Sequence, residues 1–170
     1  WLIPLLPLVA FVVTLLLGKR YLKGASHWLP ILAMAGSFVL SIMAFLETRG
    51  MEEPVVVELW RWFSVGSFEV PISLQLDQLS AVMLLVVSGI GLLIFIYSVG
   101  YMRGDGGYYR FFAYMSLFAF SMLTLVLAGN YLLLYLGWEA VGLCSYYLIG
   151  FFYHRPEAAA AGKKAFIVNR

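Results

Sequence analysis

Five runs of mostly apolar residues, broken by short polar connections, constrain this chain more than anything else in it. They cover 2–17, 28–46, 79–101, 111–127 and 130–154. A helix needs about 20 apolar residues to cross a bilayer, and the first run is on the short side. In lipid every backbone N–H and C=O has to be satisfied within the segment, so helix is the expected state of all five. With 12% charged residues, 63% hydrophobic and 17% aromatic, the chain is far from the roughly 25% charge of ordinary soluble domains. A formal charge of +2, spread over loops, makes no basic stripe and argues against nucleic acid as a partner. One cysteine, Cys144, forms no disulfide within the chain. Two histidines without clustered ligands argue against a metal or haem site. The chain starts at Trp1 and stops at Arg170 inside a new helical pattern, which suggests a piece of something longer. The first run lacks the basic start and small-residue cleavage site of a removable signal peptide.

The connections are unequal. Residues 18–27 (GKRYLKGASH) read as a basic loop, 102–110 as a short one, and 128–130 as the tightest. The segment 47–78 is the long one, and inside it the period changes to two. Phe68, Val70, Ile72, Leu74 and Leu76 alternate with Glu69, Pro71, Ser73, Gln75 and Asp77. That is the pattern of a half-buried strand. With the β-branched and aromatic run 55–63 and a Val65-Gly66-Ser67 turn, a surface β-hairpin over about 55–76 is predicted. Pro71 suits only an edge or unbonded position. Asp77 and Gln78 start the third span as capping groups. Arg155-Pro156-Glu157 ends the fifth span, and a sixth helix begins at Ala158. The fold class expected is therefore an all-α polytopic membrane protein: five complete spans, the start of a sixth and one hairpin. Residues 1–170 form a single transmembrane region with an extramembrane loop at 47–78.

Charges set an orientation. The first, third and fifth connections carry excess Lys and Arg, the second is acidic and the fourth neutral. By the positive-inside rule, the N-terminus and hairpin then face outward.

One acid breaks the fifth run. A carboxylate near the bilayer centre costs roughly 2.5–3.5 kcal/mol on insertion scales, so Glu139 needs a reason to be there. At 100° per residue it shares a stripe with Tyr131, Tyr135, Trp138, Gly142, Tyr146, Gly150 and Tyr153. Leu133, Leu134, Leu136, Val141, Leu148, Phe151 and Phe152 form the opposite, greasy arc. In low dielectric such a carboxyl can load and release a proton, especially if a cation on a neighbouring helix moves. The alternative is a structural glutamate bonded to backbone or tyrosine hydroxyls. Tyr135 and Tyr146, one and two turns away, are candidate donors. Lys164 either supports the acid or snorkels to the interface. Arg170, six residues deeper, suits a polar interior, and His154 sits at a helix end.

The run RFFAYMSLFAFSMLTLVLAGNYLLLYLGWEAVGLCSYYLIGFFY (110–153), with LDQLSAVMLLVV (76–87), YSVGYM (97–102) and KKAFIVNR (163–170), resembles the L-type antiporter-like subunits of respiratory complex I, the proton-translocating NADH:quinone oxidoreductase. Ala140 stands where many relatives have Gly, and Tyr147 where many have Leu. The resemblance implies a non-redox subunit of a translocase, moving protons through buried ionisable groups. It implies that Glu139 is the fifth-helix glutamate paired with a lysine on a later, broken helix outside this chain. It matches Arg170 to a polar position on the sixth helix, and the hairpin to an element that clips neighbouring subunits together. Implied partners are other membrane-arm subunits, including a neighbouring antiporter-like one, and the lipid bilayer. No cofactor is expected in this chain, since FMN, Fe–S clusters and quinone belong to other subunits. A bacterial plasma membrane is preferred to the mitochondrial inner membrane, with the hairpin on the periplasmic side. The rival functions are a multisubunit Na⁺/H⁺ antiporter, a membrane-bound hydrogenase, or a non-transporting scaffold.

Overall fold

In the computed structural model the described residues are 1–51, 53–66 and 68–169. The apolar runs form helices α1 (Leu2–Leu17), α2 (Trp28–Thr48), α3 (Gln78–Tyr101), α4 (Tyr108–Val126) and α5 (Tyr131–Ile149). All five are long and apolar enough to cross a membrane. A shorter α6 (Pro156–Val168) follows, starting with Pro156 in its first turn, where the missing N–H costs nothing. Helix α4 is the hub. It packs on α1, α3 and α5, while α2 bridges α1 to α3 and α6 lies on α5. One apolar cluster, with Leu84, Leu123 and Leu133, closes the hairpin end; a second, around Met34, Phe95 and Phe112, closes the other.

Most serine hydroxyls of the spans are satisfied locally, whereas Thr14 Oγ1 and Thr124 Oγ1 are buried without a partner among the described residues. Ser41, Ser88, Ser98, Ser116, Ser121 and Ser145 each donate to the carbonyl four residues earlier. Ser37 instead donates across to the Ile3 carbonyl of α1 at 2.8 Å. The reason is Pro7, which sits inside α1. A proline has no N–H, so the carbonyl four residues before it loses its helical donor. Ser37 supplies the missing one and ties α2 to α1.

The predicted hairpin forms as β1 (Val55–Val65) and β2 (Phe68–Leu76), paired antiparallel from Val55↔Leu76 to Val65↔Phe68. Strand β1 has 11 residues and β2 has 9. The two extra residues, Leu59 and Trp62, are accommodated at register shifts, a pair of bulges that alternation did not reveal. Pro71 lies opposite Arg61 beside the second bulge, as its missing donor requires. Gly66 turns the tip at φ +61°, a left-handed conformation that favours glycine. Arg61 and Glu69 pair at 3.5 Å across the strands, both exposed, a contact worth little.

The far edge of β2 is stitched to the α4–α5 connection. The Gln75 N–H donates to the Leu127 carbonyl at 2.7 Å and the Gly129 N–H to the Ser73 carbonyl at 2.9 Å. A Cβ at Gly129 would lie 2.9 Å from the Ser73 carbonyl oxygen, so only glycine allows this approach.

Two expectations change in detail. The connection 18–27 is not open loop: α1 runs on into a π-helical turn (Gly18–Leu22) and a 3-10 turn (Lys23–Ala25). Gly18 is pressed against the start of α4, where a Cβ would come 2.8 Å from Tyr109 Cβ. The fifth helix also stops at Ile149 rather than His154, so Tyr153 leaves the helical stripe.

Asp77 caps α3 with a reciprocal box. Its carboxylate accepts the Ser80 N–H at 2.6 Å, and its own N–H donates to Ser80 Oγ at 2.8 Å. The Ser80 amide holds the carboxyl below its ordinary value of 3.8, against a smaller upward push from burial. A lowered folded-state pKa means that this stabilisation is present above the ordinary value and is lost as pH falls through the folded one. Asp77→Ala is expected to cost about 1 kcal/mol of helix stability. Amide exchange in the first turn of α3 should speed up at neutral pH, and the difference from the parent should shrink in acid.

Candidate functional site

Helix α5 is set in place at its first residue. Asn130 is extended, at φ −150°, and its Oδ1 accepts the Leu133 N–H at 2.9 Å. From there Leu133, Gly137 and Cys144 fall on one side and are buried against α4. A Cβ on Gly137 would meet Leu125 at 2.9 Å, and the Cys144 Sγ lies 3.8 Å from Ser121 Oγ. Small residues thus choose the packing face, as they do where lipid supplies no hydrophobic drive between helices.

Glu139 stands roughly 120° round the helix from Leu133 and is half-buried. The same stripe holds Tyr146 and Gly150, and α6 packs there. A Cβ on Gly162 would lie 3.3 Å from the Gly150 backbone, and the rings of Tyr146 and Phe166 are 5.6 Å apart. So α6 runs back along the face of α5 that carries the acid. Tyr146 is half-buried in this seam and Tyr135 is exposed. The greasy arc is split rather than buried: Leu133 packs, whereas Leu134 and Leu136 stay exposed.

Of the two lysines of α6, Lys163 lines a 250 Å³ cavity with Arg110, Tyr114, Tyr146 and Tyr147. Lys164, singled out from the sequence, is not among that cavity's lining residues and lies roughly 200° round α6 from Gly162; both lysines are exposed. The signal that favours Lys163 is its place four residues after Ala159, which lines the same cavity. Arg110 also lies over the rings of Phe151 and Tyr153, at 5.7 and 5.9 Å. His154 is exposed beside Tyr153. Arg170 lies outside the described residues. Among the described residues, no group of three or more His, Cys, Asp or Glu side chains is placed to hold a metal ion.

Two family descriptions match this arrangement. Residues 62–112 match the N-terminus of chain 5 of NADH-ubiquinone oxidoreductase (complex I). Residues 128–170, which include α5 and α6, match the transmembrane region of the NADH:quinone oxidoreductase/Mrp antiporter family. The chain belongs to this complex I/Mrp antiporter-like family. It is 47% identical over its whole length to NADH-quinone oxidoreductase subunit L of Mycobacterium tuberculosis, of which it covers 27%. It is also 47% identical over its whole length to F(420)H(2) dehydrogenase subunit L of Methanosarcina mazei, covering 25% of that protein. The chain thus spans about a quarter of the length of these antiporter-like relatives. The structure of the Mrp complex from Dietzia sp. DQ12-45-1b superposes with a TM-score of 0.78 at 25% identity, over 98% of this chain and 17% of that one. The multi-pass, membrane-embedded reading and the helical fold with its hairpin are those of this family.

Proposed function

We propose that this chain is part of a proton-translocating membrane subunit of NADH:quinone oxidoreductase, in which Glu139 carries the proton. The observation behind it is the placement of Glu139: an acid within an apolar span, half-buried, on the face of α5 along which α6 runs. A side chain so placed can exchange a proton without exchanging with bulk water, and a cation moving on a neighbouring helix would change its affinity. The subunit itself holds no redox role. It answers electron transfer elsewhere in the complex by electrostatic coupling, and its partners are other membrane-arm subunits, a neighbouring antiporter-like one among them. FMN, Fe–S clusters and quinone belong to those other subunits. Lys163 and Arg110, with Tyr146, offer a polar aromatic path at one end of the same seam. That end carries connections one, three and five, and their excess of Lys and Arg supports an inner-side orientation, which we read in a bacterial plasma membrane. The hairpin end faces outward. The dehydrogenase relative from Methanosarcina is as similar as the quinone-reductase one, which favours a second reading in which the electron donor is not NADH.

Glu139→Gln removes the titration and keeps the shape. In the full-length subunit, assembled in inverted membrane vesicles, this variant is expected to lose most proton pumping while native gels show an intact complex. Pumping retained in both Glu139→Gln and Glu139→Ala would make Glu139 a structural acid.

A further inference from the structure

We propose that the end of the bundle opposite the hairpin holds one anionic phospholipid, its phosphate between the first and third connections and an acyl chain along α3 and α4. A cleft of 790 Å³ opens there, lined among others by Lys19, His27, Arg103, Tyr109 and Arg110. None of the three cations is in an ion pair among the described residues. The carboxylate beside them, Asp105, is half-buried and its Oδ1 accepts the Gly107 N–H at 2.7 Å. His27 is half-buried too, its Nδ1 lying 2.9 Å from the Tyr108 hydroxyl and 3.1 Å from the Gly24 carbonyl. Helix α4 starts at this cleft with no side-chain cap, so its first amides add their positive end. Three cations and an uncapped helix start, with one carboxylate engaged elsewhere, make a field that an anion completes.

The second observation points to lipid rather than a free anion. About one turn deeper along α3, a 360 Å³ groove begins, and every residue lining it is apolar or glycine, from Ile90 and Ile94 to Met115 and Met122. Ile90 and Ile94 are half exposed along it. The cleft and the groove share no lining residue, but both border α3 and α4, so a phosphate in the cleft would sit about one turn from a surface suited to hydrocarbon. Basic pockets between transmembrane helices are a recurrent way of holding such headgroups.

The test uses the full-length subunit in its assembled complex, stripped of loose lipid and offered phosphatidylglycerol, phosphatidylcholine of the same chains, or inorganic phosphate. Bound lipid is counted by native mass spectrometry. Lys19→Gln with Arg103→Gln changes two exposed side chains, and Arg61→Gln on the hairpin serves as a control for removing a cation elsewhere. The double variant should hold one phosphatidylglycerol fewer per complex, with phosphatidylcholine unchanged, and Arg61→Gln should hold the parent number. Affinity for that lipid should fall about thirtyfold, at roughly fivefold per cation. Ile94→Trp, which fills the groove, should also lose the lipid while leaving any phosphate binding intact. An unchanged phosphatidylglycerol count in the double variant would overturn the proposal, as would equal loss of both lipids. Phosphate binding that the double variant abolishes, with lipid retained in Ile94→Trp, would make the cleft a free-anion site and overturn the lipid.

Discussion

Gly137→Ala is expected to loosen the seam between α4 and α5, and Gly137→Leu to stop the subunit entering its complex. The added Cβ would lie 2.9 Å from Leu125 Cβ, 3.0 Å from its Cα and 3.1 Å from its backbone nitrogen. No rotamer change relieves a contact with backbone, so the helices themselves have to separate. Overpacking of this kind costs about 1–3 kcal/mol for a single methyl, and three more carbons leave no compact arrangement. The seam cannot recover the loss by burying apolar area, since lipid chains are as good a solvent for leucine as another helix is. Gly142, on the same helix one turn and a half away, provides the control: a Cβ there meets nothing within 4 Å. Gly142→Ala should be neutral or more stable by up to about 1 kcal/mol, the ordinary helix-propensity gain. Thermal unfolding of the purified complex in detergent, read beside a native gel, separates the two. If both alanine variants behaved alike, close approach at Gly137 would not be what fixes α5.

That contrast also marks where the sequence was readable. The spans, their order and the hairpin strands follow from composition and period, because lipid forbids unsatisfied backbone and a half-buried strand alternates. The strand β2 ends beside Asp77 and α3 begins directly after it, as the capping signal implied. Long-range contacts were not readable. Nothing near Gly18 foretells that Tyr109 will press on it and carry α1 onward into a π turn. Nor does Ser37 announce that Pro7, thirty residues earlier in the chain, leaves a carbonyl for it.

At the site, Glu139 stood out by its chemistry alone, but its surroundings followed a different rule from the one bulk hydrophobicity suggests. Of the leucines of α5 only Leu133 is fully buried; Gly137 and Cys144 make up the rest of the buried face, so part of the greasy arc faces outward. The same rule places Gly162 against Gly150 and brings Lys163, rather than its neighbour Lys164, to the tyrosines of the seam. Reading the small residues as the points of closest helix contact would have found it.

Asn130→Asp is expected to release the hairpin while leaving the acid-bearing helix capped. Asn130 has two jobs. Its Oδ1 caps α5 through the Leu133 N–H, and its Nδ2 donates to the Pro71 carbonyl of β2 at 2.7 Å, with Ser73 Oγ at 3.4 Å. Aspartate keeps the first oxygen and turns the second contact into an acceptor facing an acceptor. A carbonyl that loses its partner in this half-buried place costs about 1–3 kcal/mol. Amide exchange should therefore quicken at Gln75 and Gly129, whose N–H groups bond across the same junction, and stay slow in the first turns of α5. Asn130→Ala should quicken both sets, adding the loss of a cap worth about 1 kcal/mol. If Asn130→Asp left Gln75 and Gly129 as protected as in the parent, the two backbone bonds, Gln75 to Leu127 and Gly129 to Ser73, would hold the hairpin without the side chain. Otherwise one side chain joins the surface hairpin to the start of the helix that carries Glu139, and a force on the hairpin reaches that helix at its first turn.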